Sequence, residues 1–257
     1  MMTAGRIAAL ALGGVLTATP WGTNAAQAQN IAEPEVTKGQ SKLEVFSQWQ
    51  GGLHGGAAGD TRDLYAPNFS YGLTEFWQIK AILALERPVG DDLRATSATV
   101  ENTFEFVNAK RGGIGLAWFT SITGAIDDNE TNAVLFGPIV RIGGGPLSLI
   151  LNPFLEKTFG ANREPGIHFT YGWQLKQEVS KGWWIGVEGF GRTPDFDGDA
   201  GAHEHRVGPV VTHEIEIGGK RTFTIEAGVQ FGLNNTTPEV APKLQLTLQY
   251  QVLLSIA

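Results

Sequence analysis

From Lys42 onward, apolar and polar residues repeat with a period of two. Between Pro242 and Val252, Leu244, Leu246, Leu248, Tyr250 and Val252 lie on one face, with Lys243, Gln245, Thr247, Gln249 and Gln251 on the other. Strict alternation over such a length is the signature of a β-strand with two unlike faces. Phe223 to Phe231 and Ile167 to Lys176 repeat it. Applied along the chain, the rule predicts about twelve strands, at 42–52, 64–72, 76–87, 96–107, 113–124, 132–142, 147–158, 166–178, 183–193, 206–217, 221–232 and 240–252. Two of them, 132–142 and 147–158, alternate poorly.

The connections sort by length. Short turns stand at Gly72–Thr74, Lys110–Gly112, Gly143–Gly145, Ser180–Gly182 and Gly218–Lys220. The intervening connections are longer and more polar: Gly52–Asp63, Pro88–Ala95, Ile126–Thr131, Gly160–Pro165, Pro194–His205 and Leu233–Glu239. Up-and-down membrane barrels alternate in this way, with short periplasmic turns and longer outer loops. Gly143–Gly145 is a tight turn and no phosphate cradle, because Pro146 opens a strand where a helix would have to start.

Alternation alone does not say which face points outward. A soluble lipocalin-like or jelly-roll protein would turn its apolar face inward, and a membrane barrel turns it to lipid. Three features favour the membrane. The segments reach the roughly 9–11 residues that a tilted strand needs to cross a bilayer. Trp49, Tyr65, Trp77, Phe159, Trp183, Phe231 and Tyr250 fall near strand ends, where interfacial aromatic girdles sit. The N-terminus reads as an export signal, with Arg6, the apolar run Ile7–Leu16 and the Ala26–Gln27–Ala28 cleavage pattern. The expected organisation is a cleavable signal peptide at 1–28, a polar lead-in at 29–41, and an all-β, transmembrane, antiparallel up-and-down β-barrel at 42–257, with both termini periplasmic.

Composition narrows the function. The 257 residues include no cysteine, which removes disulfides, thiolate metal sites and cysteine nucleophiles. The formal charge of −7, near −8 once Arg6 is cleaved away, argues against a nucleic-acid partner. No cofactor is implied. The expected partners are outer-membrane lipid, the barrel assembly machinery and a small-molecule solute.

The stretch "YGLTEFWQIKAILALERP" resembles the strand–turn–strand unit of a family of outer-membrane proteins named for an association with phenol (meta-pathway) degradation and often called transporters. "LEKTFGANREPGIHFTYGWQLKQEVSKGWWIGVEGFG", "EHRVGPVV" and "GVQFGLNNTTPEVAPKLQLTLQY" resemble the second half of the same barrels, and the resemblance runs from about Val36 to Val252. It implies an outer-membrane barrel and transport of small, hydrophobic or aromatic molecules. One departure is that Tyr250 precedes seven further residues, whereas such barrels commonly end on an aromatic that the assembly machinery reads.

Alternation puts Glu44, Lys80, Glu86, Glu101, Glu105, Arg141, Glu156, Lys176, Glu188, Arg192, Glu214, Glu216, Glu226 and Lys243 on the lumen side. Charges there must be paired or wet. They form either a salt-bridged plug or a narrow conduit with mild cation preference. Glu214, Glu216 and Glu226 form an acidic cluster whose available bases are Lys243, Arg192 and Lys176. Asp195, Asp197, Asp199, His203 and His205 share one loop and are candidate divalent-metal ligands, although Asp-Gly-Asp is also ordinary turn chemistry. Neither His168 nor His213 stands in the His-x-Ser arrangement of outer-membrane phospholipases, so no enzyme is expected. Two functions stay open: a passive channel or transporter for small molecules, or a non-conducting structural or sensing barrel whose outer loops bind a partner or ion.

Overall fold

The computed structural model describes residues 30–52, 61–109, 113–126, 131–143, 145–195 and 204–251. The expected signal peptide and the last six residues lie outside these. Twelve strands run in order: β1 (Gln40–Gly51), β2 (Thr61–Gly72), β3 (Trp77–Arg87), β4 (Arg94–Val107), β5 (Ile114–Ala125), β6 (Thr131–Ile142), β7 (Leu147–Gly160), β8 (His168–Ser180), β9 (Trp183–Asp195), β10 (Glu204–Gly218), β11 (Arg221–Gly232) and β12 (Val240–Gln251). Each pairs antiparallel with its neighbours in sequence, and β1 pairs with β12 from Gln40↔Gln251 to Gly51↔Val240. Closure leaves no free sheet edge, and in hydrocarbon an unpaired edge has no solvent to satisfy it. The predicted strands are all present, with ends moved by three residues at most.

Alternation sets the inside and the outside. Along β1, Leu43 and Val45 are exposed while Glu44 and Phe46 are buried. Val100, Trp118, Ile122, Leu175, Ile185, Val187, Val211 and Leu246 stand out likewise on other strands. In water such a continuous apolar exterior is a liability; against lipid it is the stabilising surface. Aromatics mark both rims. Trp49 meets Tyr65 edge-on at 6.4 Å near the long-loop end, and Trp183 stacks on His213 at 4.0 Å near the short-turn end. The β10–β11 turn runs through Gly218, Gly219 and Lys220 with φ of 89°, 59° and 63°, a left-handed run that favours glycine.

The chain before β1 supplies what the alternation did not show. Gln40 and Ser41, read as lead-in, are strand residues paired with Gln251 and Tyr250. Asn30 to Thr37 run inside the barrel, from mid-lumen to the short-turn mouth, where Gly39 N–H bonds to Gly72 O at 2.8 Å and the chain turns into β1. We call this segment the strap. Two inward-facing glycines make room for it. A Cβ at Gly172 would stand 3.1 Å from Ile31 Cδ1, and one at Gly115 would stand 3.2 Å from Pro34 Cγ.

Candidate functional site: a lumen with two unlike walls

Strands β5 to β7 present a dry wall. Ala117, Phe119, Leu135, Ile139, Ile150 and Phe154 point inward and pack together, and Ile31 and Ala32 of the strap lie on them. Phe119 and Phe154 stack at 4.7 Å. Gly137 lets β7 approach, since a Cβ there would lie 2.4 Å from Pro153 O.

Strands β8 to β12, with β1, present a charged wall. At mid-height Glu188 is 0% exposed and accepts from Lys243 Nζ (2.7 Å), Gln230 Nε2 (3.0 Å) and Gln174 Nε2 (3.0 Å). Lys243 also donates to Glu226 at 3.0 Å, and Glu226 accepts further from Lys176 (3.2 Å) and Thr212 (2.9 Å). Gln48 Nε2 bonds to Gln230 Oε1 at 3.1 Å, and the Gln48 carbonyl takes Gln50 Nε2 at 2.8 Å and Arg206 Nη1 at 3.4 Å. Each carboxylate in this layer meets a base and neutral donors, which is what a charge so far from water requires.

The other lumen candidates occupy separate levels. Glu44 accepts from Asn30, Asn68, Gln245 and Thr247. Lys80 pairs with Glu101 at 3.2 Å. Glu105 Oε2 accepts the Val36 N–H at 2.8 Å, and Arg141 pairs with Glu35 at 2.7 Å while its Nε donates to Ser148. Toward the long-loop end, Arg192 bridges Glu156 and Glu164, Glu86 pairs with Arg62, and Asp63 with Arg87. The His168 imidazole and the Arg192 guanidinium hold the carboxyl of loop residue Glu164 down to about 2, against the pull of its partial burial. The acidic trio does not stay together: Glu226 joins the mid-lumen network, Glu214 borders the cavity mouth, and Glu216 sits at the rim with its side chain 77% exposed, 3.8 Å from Lys181.

Of the metal candidates, Asp197, Asp199, His203 and the side chain of Asp195 lie outside the described residues. His205 Nδ1 is 2.8 Å from Tyr171 Oη. Among the described residues no group of three His, Asp or Glu is arranged to hold a metal ion.

A cavity enclosing about 1050 Å³, its opening to solvent included, occupies the short-turn half of the lumen. Its lining joins both walls and the strap: Phe119 and Ile31 on one side, Lys42, Lys80, Gln174 and Lys176 on the other. Above it the barrel is filled, with Phe46, Gln48, Leu64, Glu188 and Gln230 all at 1% exposure or less.

Set beside solved structures, the chain is similar to the NanC porin (TM-score 0.54, 8% identity, covering 82% of this chain and 100% of that one) and to the KdgM porin in complex with disordered oligogalacturonate (TM-score 0.50, 12% identity, 82% and 99%). This protein has an outer-membrane porin-type β-barrel fold. Closed barrels with an apolar exterior of this kind sit in the outer membrane, and that is where the fold places the chain. No family model matches it, and no curated relative matches it.

What the sequence missed is the strap and its docking places: Glu33 and Glu35 as lumen residues, Asn152 as a clamp, and Gln48, Gln174 and Gln230 as the cross-braces between charged groups. Two signals pointed there. The failed alternation at 132–142 and 147–158 marks strands with apolar residues on both faces. Glu33 and Glu35 stand two apart on an extended segment, which gives them one side in common.

Proposed function

We propose that this barrel is a passive conduit that lets small solutes cross the outer membrane, held closed in the state described here. The observation that carries the reading is the cavity in the short-turn half of the lumen, walled by amides, hydroxyls and paired charges and open to solvent. A barrel whose only task was rigidity would gain by filling that volume with packed side chains. The KdgM porin is known in complex with oligogalacturonate, and the amide- and hydroxyl-rich lining suits a polar solute of this general kind. Membership of the phenol-pathway family, with aromatic solutes, is the finer form of the same proposal and rests on the quoted sequence stretches and on Phe119 and Ile31 at the cavity wall.

The packed mid-lumen layer favours a second reading, a non-conducting barrel that serves as a scaffold or sensor, since Gln48, Gln230 and Glu188 are at 0% exposure. Planar-bilayer recording of detergent-folded protein separates the two. Discrete channel openings with mild cation preference are expected; a protein that shows heat-modifiable gel mobility yet gives no openings at any applied voltage would sink the conduit.

A further inference from the structure

The strap is held as a bound ligand is held. Asn152 grips the peptide unit of Ala32 from both sides, its Oδ1 accepting the Ala32 N–H at 2.8 Å and its Nδ2 donating to Ala32 O at 3.0 Å. Glu105 accepts the Val36 N–H. The two strap carboxylates take two of the wall cations: Glu35 sits 2.7 Å from Arg141 and Glu33 sits 3.5 Å from Lys42. Gly172 and Gly115 leave open the volume that Ile31 and Pro34 fill.

The wall charges show what would replace the strap. Lys80, Lys176, Lys243 and Arg192 have barrel carboxylates as partners in Glu101, Glu226, Glu188 and Glu156. Among the described residues, Lys42 and Arg141 pair with strap carboxylates alone. With the strap withdrawn, Lys42 and Arg141 would lose the carboxylates that contact them, and the barrel carboxylate left acting on Arg141 would be Glu214, which lines the cavity but makes no ion pair with it. Two cations so placed match an anion carrying two carboxylates.

We propose that the strap is a built-in stand-in for the solute: it occupies a site for an extended di- or oligocarboxylate in which Arg141 and Lys42 receive the carboxylates, and such a solute displaces it. This rests on the reading of the lumen as a solute path, and names the class of solute. A ligand shifts the strap only by binding the strap-free state better than the strap-bound one. An anion able to satisfy Arg141 and Lys42 does so, and a neutral molecule of the same shape does not.

The test uses the absence of cysteine in the chain. Ala32→Cys places one thiol on the strap of the full-length folded barrel, and its labelling by a bulky maleimide reports withdrawal. Glutarate is the probe, with glutaramide as the neutral analogue and sodium chloride at matched ionic strength. Glutarate is expected to raise the labelling rate at least about fivefold over chloride, and glutaramide to leave it unchanged. Adding Lys42→Gln and Arg141→Gln is expected to give fast labelling with no response to glutarate; if that variant does not fold, Lys42→Gln alone must show the same trend. A labelling rate that glutarate moves no more than chloride overturns the proposal, as does slow, wild-type-like labelling of the folded cation variants. Bilayer recording of the same samples keeps the two readings apart. Openings without a glutarate effect leave the conduit and remove the carboxylate site; a glutarate effect without openings does the reverse.

Discussion

The two walls of the lumen solve the same problem in opposite ways. On β5 to β7 the inward residues Phe119, Leu135, Ile139, Ile150 and Phe154 pack into one apolar cluster, with polar residues such as Asn152 and Arg141 set between and below them. On β8 to β12 the corresponding positions are Gln174, Glu188, Glu226, Gln230 and Lys243, and the interior is a web of charge-assisted bonds. A barrel with only the second wall would be an ordinary polar lumen. The first exists because something apolar lies on it, namely Ile31 and Ala32. The apolar residues on the inner face of β5 to β7 thus mark where the strap lies, whereas the second inward apolar cluster, Phe46, Leu64, Ala66 and Ala84, packs against Ile82 of the barrel itself.

The largest test of this contrast falls on the charged wall. Lys243→Ala leaves Glu188 at full burial with only amide donors, and breaking a buried pair costs about 3–5 kcal/mol. Urea unfolding in micelles, followed by the fluorescence of the seven tryptophans, should show a large drop in midpoint. Changing Lys243 and Glu188 together to Met removes both charges, and the pair should recover most of that loss, because well-packed apolar replacements of buried ion pairs are often neutral. A double variant as unstable as the single one would show that the web acts through more than charge balance.

Phe154→Ala on the dry wall should cost about 3 kcal/mol by the same assay, through lost packing on Phe119. Unlike the Lys243 substitution, its cost should be insensitive to added salt. Asn152→Ala comes next. It strips the Ala32 peptide of both side-chain partners, for about 1–3 kcal/mol, and should accelerate hydrogen exchange at Ala32 with little effect on the β7–β8 ladder.

The smallest effect lies at the long-loop rim. Glu164 is held at about 2, below its ordinary 4.5. Its contribution is complete above about pH 4.5 and is lost as pH falls toward 2. The gap in urea midpoint between wild type and Glu164→Gln should be constant above pH 4.5 and close by pH 2; a gap that persists at pH 2 would remove the carboxylate as its cause.

The period-two alternation made the barrel legible, since lipid imposes one apolar face on every strand. It also placed Glu188, Glu226 and Lys243 on the same side of the sheet. It had no means of pairing them, because Lys243 and Glu188 are 55 residues apart and meet only across the lumen. Glu216 shows the converse. By parity it faces the same way as Glu214, but it lies beyond the rim, where parity no longer implies enclosure. The strap was illegible for a further reason: an extended segment without a sheet partner leaves no period, and its contacts are to side chains scattered over β1, β4, β6 and β7.

The seam between β1 and β12 has a consequence for how fast the molecule forms. Eleven of the twelve strand pairs join neighbours in sequence and can zip locally. The twelfth brings Glu44 to Gln245 and Thr247, across 201 and 203 residues. Contacts of such sequence separation are the slow ones, because chain entropy is lost before the contact returns anything. Until that seam shuts, Glu44 lacks two of its four donors and both edge strands lie open to pairing with another chain. Ring closure is therefore expected to be the slow step of folding, and the open sheet just before it to be the species most exposed to aggregation.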